Sequence, residues 1–261
     1  MDVRFFKYQG TGNDFIIIDN RELTFPKTNN AFIQKLCHRQ FGIGADGLML
    51  LEKSVNSHFK MIYYNADGRE GSMCGNGGRC IVAFARQLGI FEQETIFEAV
   101  DGTHKARIND GKVQLEMGDV SDIEAFPDHF FLNTGSPHHI VFSKNIDNLD
   151  IVEIGRRIRY GAPYFEAGTN VNFVERCEGN KLKIRTYERG VENETLSCGT
   201  GVTAAAIAAH FSGKTTETPV FIDTLGGVLQ VDFHTEEKMY RNIVLTGPAE
   251  MVFSGLIKCG I

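Results

Sequence analysis

The chain has 261 residues, 42% hydrophobic and 23% charged, with a formal net charge of −6. That is room for one large domain or two ordinary ones around a substantial core, in a composition typical of soluble globular proteins. The acidic balance excludes an electrostatic case for nucleic acid or an anionic membrane as partner, and no apolar run approaches the roughly 18 residues of a membrane span.

In chain order, apolar, β-branched runs predict strands over 3–8, 15–19, 48–51 and 59–64. An amphipathic helix is expected over 30–39, and a helix opened by glycines over 76–88. Three further strands follow over 95–100, 103–109 and 113–117. After a turn-rich join at 118–125 come strands over 130–132, 139–142, 171–175 and 181–187, with a helix over 150–160 whose Arg156, Arg157 and Arg159 read as its solvated face. A very apolar helix over 200–211 precedes strands near Val220, over 228–233 and over 243–246.

This order runs twice. Sliding the chain by 123 or 124 positions lays Thr11-Gly12-Asn13 on Thr134-Gly135-Ser136 and Tyr64-Asn65 on Tyr187-Glu188. It also lays Cys74-Gly75-Asn76-Gly77 on Cys198-Gly199-Thr200-Gly201, and Phe97 and Gly102 on Phe221 and Gly226. Four coincidences in order at a nearly constant shift mark a duplication. The fold class expected is α/β (α+β). Two pseudo-symmetric halves would each form a mostly antiparallel sheet or barrel around a central helix, since a helix as apolar as 202–209 needs enclosure. The halves are expected at 1–119 and 120–249, with 250–261 a candidate to complete the first, and the active site in the cleft between them.

The N-terminus (1–14) is polar and lacks the apolar core of a signal peptide, so a cytoplasmic location is expected and the six cysteines should be thiols. None form a C-x-x-C pair, which disfavours a zinc ribbon or a thioredoxin-like motif. Two stand apart. Cys74 and Cys198 each sit where a glycine-rich turn becomes a helix, where unpaired N–H groups and about half a positive charge favour a thiolate. The glycines let a carboxylate approach the same N–H groups. Two such turns suit inversion at a carbon beside a carboxylate, one thiolate removing the α-proton and the other thiol returning one. Cys37, Cys80, Cys177 and Cys259 lack that setting and are assigned to core or surface.

The run from Tyr64-Asn65-Ala66-Asp67-Gly68 to Met73-Cys74-Gly75-Asn76-Gly77-Gly78-Arg79-Cys80 resembles the first cysteine motif of diaminopimelate epimerases. Tyr187-Glu188-Arg189-Gly190 through Ser197-Cys198-Gly199-Thr200-Gly201 resembles the second. Gly10 to Phe15 and Gly168 to Phe173 resemble two further family motifs. The resemblance implies a pyridoxal-independent, cofactor-free isomerase interconverting LL- and meso-2,6-diaminopimelate for lysine and peptidoglycan precursor synthesis, with Cys74 and Cys198 as the two bases. It also implies a homodimer. By the same analogy Asn13, Asn65, Asn170, Glu188 and Arg189 bind substrate, and the turns Gly75-Asn76 and Gly199-Thr200 hold the reacting carboxylate. His138 and Glu188 would tune the thiols. Two departures bear on substrate recognition: Ser136 stands where many members have Asn, and Gly47 where some carry a substrate-contacting Gln.

Gly42-Ile43-Gly44-Ala45-Asp46-Gly47 is a literal G-x-G-x-x-G, but a helix precedes it and a strand follows, the reverse of a dinucleotide site. His138-His139 point to opposite faces of a strand and have no spaced ligand partner, so no metal is expected. Rival functions are a proline racemase or hydroxyproline epimerase, a dithiol redox protein cycling Cys74 and Cys198, and a non-catalytic amino-acid-binding module.

Overall fold

The computed structural model describes residues 2–237 and 239–258; Cys259 lies outside the described residues. The chain divides into two compact units, Met1–Leu115 with Pro248–Ile261, and Glu116–Gly247.

The first unit contains β1 (Asp2–Gly10), β2 (Asn13–Asp19), β3 (Gly47–Glu52), β4 (Phe59–Asn65), β5 (Glu94–Ala99), β6 (Gly102–Asn109) and all but the last residue of β7 (Lys112–Glu116). The last strand of the chain, β17 (Glu250–Lys258), pairs antiparallel with β1. From β1 to β6 the pairings are antiparallel, parallel, antiparallel, parallel and antiparallel. Every residue of β3 is buried, as befits a strand covered on both faces. Helix α1 (Asn30–Cys37) starts on the Asn29 side chain, which accepts from Phe32 N–H, and ends two residues before its periodicity suggests. The reason is local: Ile43 N–H returns to the Leu36 carbonyl, so the chain folds back under the helix. Helix α2 (Gly75–Gln87) packs on β1, β2 and β3.

The second unit repeats the plan. It contains β8 (Ile123–Ala125), β9 (Phe130–Asn133), β10 (Pro137–Phe142), β11 (Asn170–Arg176), β12 (Lys181–Glu188) and β13 (Asn193–Thr195). These are followed by β14 (Val220–Thr224), β15 (Gly227–Glu236) and β16 (Met239–Gly247). Pairing from β9 through β10, β11, β12 and β14 to β15 follows the same alternation of antiparallel and parallel. Helix α3 (Ile151–Tyr160) is capped by Asp150, whose carboxylate accepts from Glu153 N–H. Helix α4 (Gly199–Phe211) has no polar face, and from Val202 to Ala209 each residue is fully buried. It packs among Leu132, Ile140, Val174, Leu182, Val220, Leu229 and Leu245. The expected join at 118–125 is not wholly irregular, because 123–125 form β8 against β9.

Ile207 is fully buried in this cluster. Truncating it to Ala should destabilise the second unit by about 2–5 kcal/mol through lost burial and a residual cavity. Urea unfolding followed by a probe in that unit should show the loss as a lower midpoint at unchanged slope.

Candidate active site

Both singled-out cysteines are helix N-caps. Cys74 (φ −110°, ψ 132°) precedes α2 and Cys198 (φ −124°, ψ 110°) precedes α4. Each carbonyl accepts the first helical bond, from Gly78 N–H at 2.7 Å and Val202 N–H at 2.9 Å. Neither helix start has a side-chain cap bond or an acidic residue in its first turn. The helix dipole therefore acts on each sulfur with no carboxylate of that first turn to offset it.

In the first unit the Cys74 thiol donates to Asn13 Oδ1 at 3.7 Å, and Asn76 Nδ2 donates to the same oxygen at 3.4 Å. What orients Asn13 lies behind it: its Nδ2 donates to Asp46 Oδ2 at 2.7 Å. Asp46 in turn pairs with Arg39, which also grips Asp14. Burial works against the charge on Asp14, but hydrogen bonds from Arg39 and Lys7 outweigh it and hold its pKa at about 2. What orients Asn76 is Arg79, whose guanidinium donates to Asn76 Oδ1 at 3.1 Å, to Thr11 Oγ1 at 3.2 Å and to the Gly75 carbonyl at 3.3 Å. Arg79 is fully buried and makes no ion pair among the described residues. Its charge acts on Cys80 and Cys74. Burial pushes Cys80 up to about 12, so it stays a thiol.

Asp46 and Arg79 were not among the expected site residues. Asp46 falls in the glycine-rich run that fails as a nucleotide loop, and Arg79 is one turn along the helix from Cys74; neither position is marked by the sequence pattern. Asn65 ends β4 with its amide beside Gly71, where a Cβ would sit 2.9 Å from it. No hydrogen bond joins it to Cys74 among the described residues.

In the second unit Cys198 Sγ lies 3.5 Å from Thr200 Oγ1, and the Thr200 carbonyl accepts from Thr134 at 2.8 Å. Asn170 Oδ1 accepts from Arg189 N–H at 2.9 Å, while its Nδ2 donates to the Pro137 carbonyl at 3.1 Å. Arg189 is exposed and donates to the Ala167 carbonyl. Glu188 accepts from Thr195 at 2.9 Å. His138 is fully buried. Its Nδ1 faces Asn172 Nδ2 at 3.1 Å, which makes Nδ1 the acceptor and leaves the proton on Nε2. That Nε2 has no partner among the described residues. Asn172 was not an expected site residue. It is held by Thr186 at 3.0 Å, and its Oδ1 would lie 2.5 Å from a Cβ on Gly201, so the helix start needs glycine there.

His139 points away from His138, as strand alternation requires, to Tyr164 Oη at 2.8 Å. No cluster of three or more metal-ligating side chains occurs among the described residues, and no helix there is long and apolar enough to cross a membrane. No disulfide joins the five described cysteines; Cys37 and Cys80 are buried, Cys177 exposed.

Burial lowers His138 to about 3, aided by the Arg189 charge, and lowers His139 to about 4. Both stay neutral in the folded protein while the unfolded chain binds protons below pH ~6.5. Stability from this source is complete above that pH and is lost as pH falls toward 4, because the unfolded state holds more protons. The thermal midpoint should drop from pH 7 to pH 5, with a shallower slope in His139→Asn. A flat profile over that range would contradict the burial of these rings as neutral groups.

Comparison with known proteins adds the lineage. A family profile described as "Diaminopimelate epimerase" matches residues 5–123 and 130–252. The chain is 53% identical to a diaminopimelate epimerase of Flavobacterium psychrophilum over 98% of its own length and all of that protein's. It is 45% identical to one of Chlorobaculum tepidum, over 95% and 98% of the two lengths. Among solved structures, a phenazine biosynthesis protein of the PhzF family from Bacillus anthracis superposes with a TM-score of 0.81 at 15% identity, covering 99% of this chain and all of that one. A hydroxyproline epimerase from Agrobacterium vitis superposes with a TM-score of 0.69 at 15% identity, covering 98% and 92%. The solved structures share the fold, and the sequence relatives fix the lineage: this chain belongs to the diaminopimelate epimerase family.

Proposed function

We propose that the protein interconverts LL- and meso-2,6-diaminopimelate by two-base chemistry at the α-carbon, one of Cys74 and Cys198 removing a proton and the other delivering one, without a cofactor. The observation that carries this reading is the matched pair of N-cap cysteines at one repeated position, in a chain of this family. The Cα–H bond breaks as an S–H bond forms on one face. The opposite S–H then gives its proton to the other face, so nothing is oxidised or reduced. The scheme requires one sulfur on each side of the substrate carbon.

The first-turn N–H groups at Gly75-Asn76 and Gly199-Thr200 would hold the reacting carboxylate and stabilise the charge that develops on it. Asn13, Asn65, Asn170, Glu188 and Arg189 would hold the rest of the substrate, Arg189 as a bidentate partner for a carboxylate. A buried guanidinium with neutral hydrogen-bond partners is costly unless an anion lies near. Cys80 is held as a thiol, so Arg79 favours the thiolate at Cys74. His138, neutral with a proton on Nε2, would be a donor that tunes a thiol, and Glu188 would tune the other. A cytoplasmic homodimer completes the reading; reduced cysteines agree with the compartment, and the dimer rests on the family resemblance alone.

Incubation with LL-diaminopimelate in D2O tests this. The intact protein should exchange the α-hydrogen and form the meso isomer, while Cys74→Ala and Cys198→Ala should each lose at least about 10³-fold in kcat. Full turnover by either variant would sink the two-cysteine scheme. Binding without exchange in the intact protein would leave only a binding module, and a disulfide cycle during turnover would point to the redox rival.

A further inference from the structure

Among the matched positions at which the two units differ, one sets a side chain against none. In the second unit Asn170 follows His138 in register, and its amide spans Arg189 N–H and the Pro137 carbonyl. At the same place in the first unit, 123 residues earlier, stands Gly47, in register with Phe15 on one side and Asn65 on the other. The missing side chain leaves no hole. A Cβ on Gly47 would lie 2.5 Å from the ring of Tyr63 and 2.8 Å from its hydroxyl oxygen. A Cβ on Gly71 would meet the other edge of the same ring at 2.9 Å. Two glycines therefore form the slot that holds Tyr63, and the ring also lies edge-on to Phe15, with centroids 6.1 Å apart at 74°.

The face this slot opens on can be read from the sheet. Cross-strand partners project to one face, so Phe15, Gly47 and Asn65 share it, and alternation along β4 adds Met61 and Tyr63. It is the face turned to the start of α2: a Cβ on Gly77 would meet Met49, Met61 and Phe15 at 3.3–3.6 Å. Tyr63 thus stands between Met61, which lies under the cysteine-capped turn, and Asn65. It is half-buried, with its hydroxyl over the position where the second unit presents an amide.

We propose that Tyr63 is a substrate-positioning, specificity-determining residue, its phenol hydroxyl donating to a carboxylate of an acyclic diamino dicarboxylate at the place that Asn170 fills in the second unit. This rests on the function proposed above. A ring wedged between two glycines has few rotamers to lose, so the hydroxyl is pre-organised for that bond. The residue holds substrate and takes no proton from it, so its removal should act on binding more than on turnover.

The test is steady-state kinetics of Tyr63→Phe, which keeps the ring in its slot and removes only the hydroxyl. KM for LL-diaminopimelate should rise about tenfold with kcat within about twofold of the intact enzyme. A second variant probes the slot. Gly47→Ala should displace the hydroxyl and raise KM in the Tyr63 background, but add little on top of Tyr63→Phe. An unchanged KM in Tyr63→Phe, or fully additive effects of the two substitutions, would overturn the proposal and make the ring a spacer. Wild-type turnover in the same assay separates the failures. An inactive wild type sinks the proposed function and this inference with it, whereas an active wild type beside an unaffected Tyr63→Phe sinks this inference alone.

Discussion

An apolar helix enclosed by a sheet has nowhere to satisfy the N–H groups of its first turn except at the mouth of the enclosure. In this protein that constraint applies twice. Helix α4 is buried along its whole apolar run, and α2 is buried from Gly75 to Val82. Each begins at a cysteine with no side-chain cap bond. The packing that makes the core therefore also makes an anion-seeking end with a sulfur fixed on it. The glycines of the turn follow from the same crowding, since at Gly201 a side chain would run into Asn172.

Around those ends the polar side chains are held by partners within their own unit. Asn13 is turned by Asp46 and Asn76 by Arg79, so the Asn13 amide oxygen is presented to the Cys74 thiol and the Asn76 amide nitrogen donates to that same oxygen. In the second unit Asn172 and Thr186 fix the tautomer of His138. A guanidinium buried like that of Arg79 is costly alone. Its retention makes sense where the orientation of an amide matters more than stability. The two units solve this differently: the first uses ionic groups, the second neutral ones.

Much of this was legible in the sequence because it is local. A cysteine, two glycines and an apolar run announce a helix start, and the observed starts fall within one residue of the expected ones. Strands over 59–65 and 181–188 alternate clearly enough to be found, and the repeat ties them together. The short β8 and β13 carry too few residues for a period to show. β17 has a largely exposed burial pattern and owes its existence to pairing with β1, which a local pattern cannot reveal. The roles of Asp46, Arg79 and Asn172 were hidden for a related reason. Each acts on a residue at least three positions away through one atom of its side chain, and only register decides which atom that is. Gly47 is the sharpest case, since a missing side chain in the sequence turned out to be a seat for the ring of Tyr63.

The central claim is that two sulfurs share the work at one carbon, a thiolate taking one proton and the opposite thiol giving another. The most direct measurement is where solvent deuterium sits early in the reaction. Starting from LL-diaminopimelate in D2O, mass spectrometry at low conversion should find deuterium at the α-carbon of the newly formed meso isomer and almost none in the recovered LL isomer. Equal early labelling of recovered substrate and product would mean that one group both takes and returns the proton, and would contradict the account.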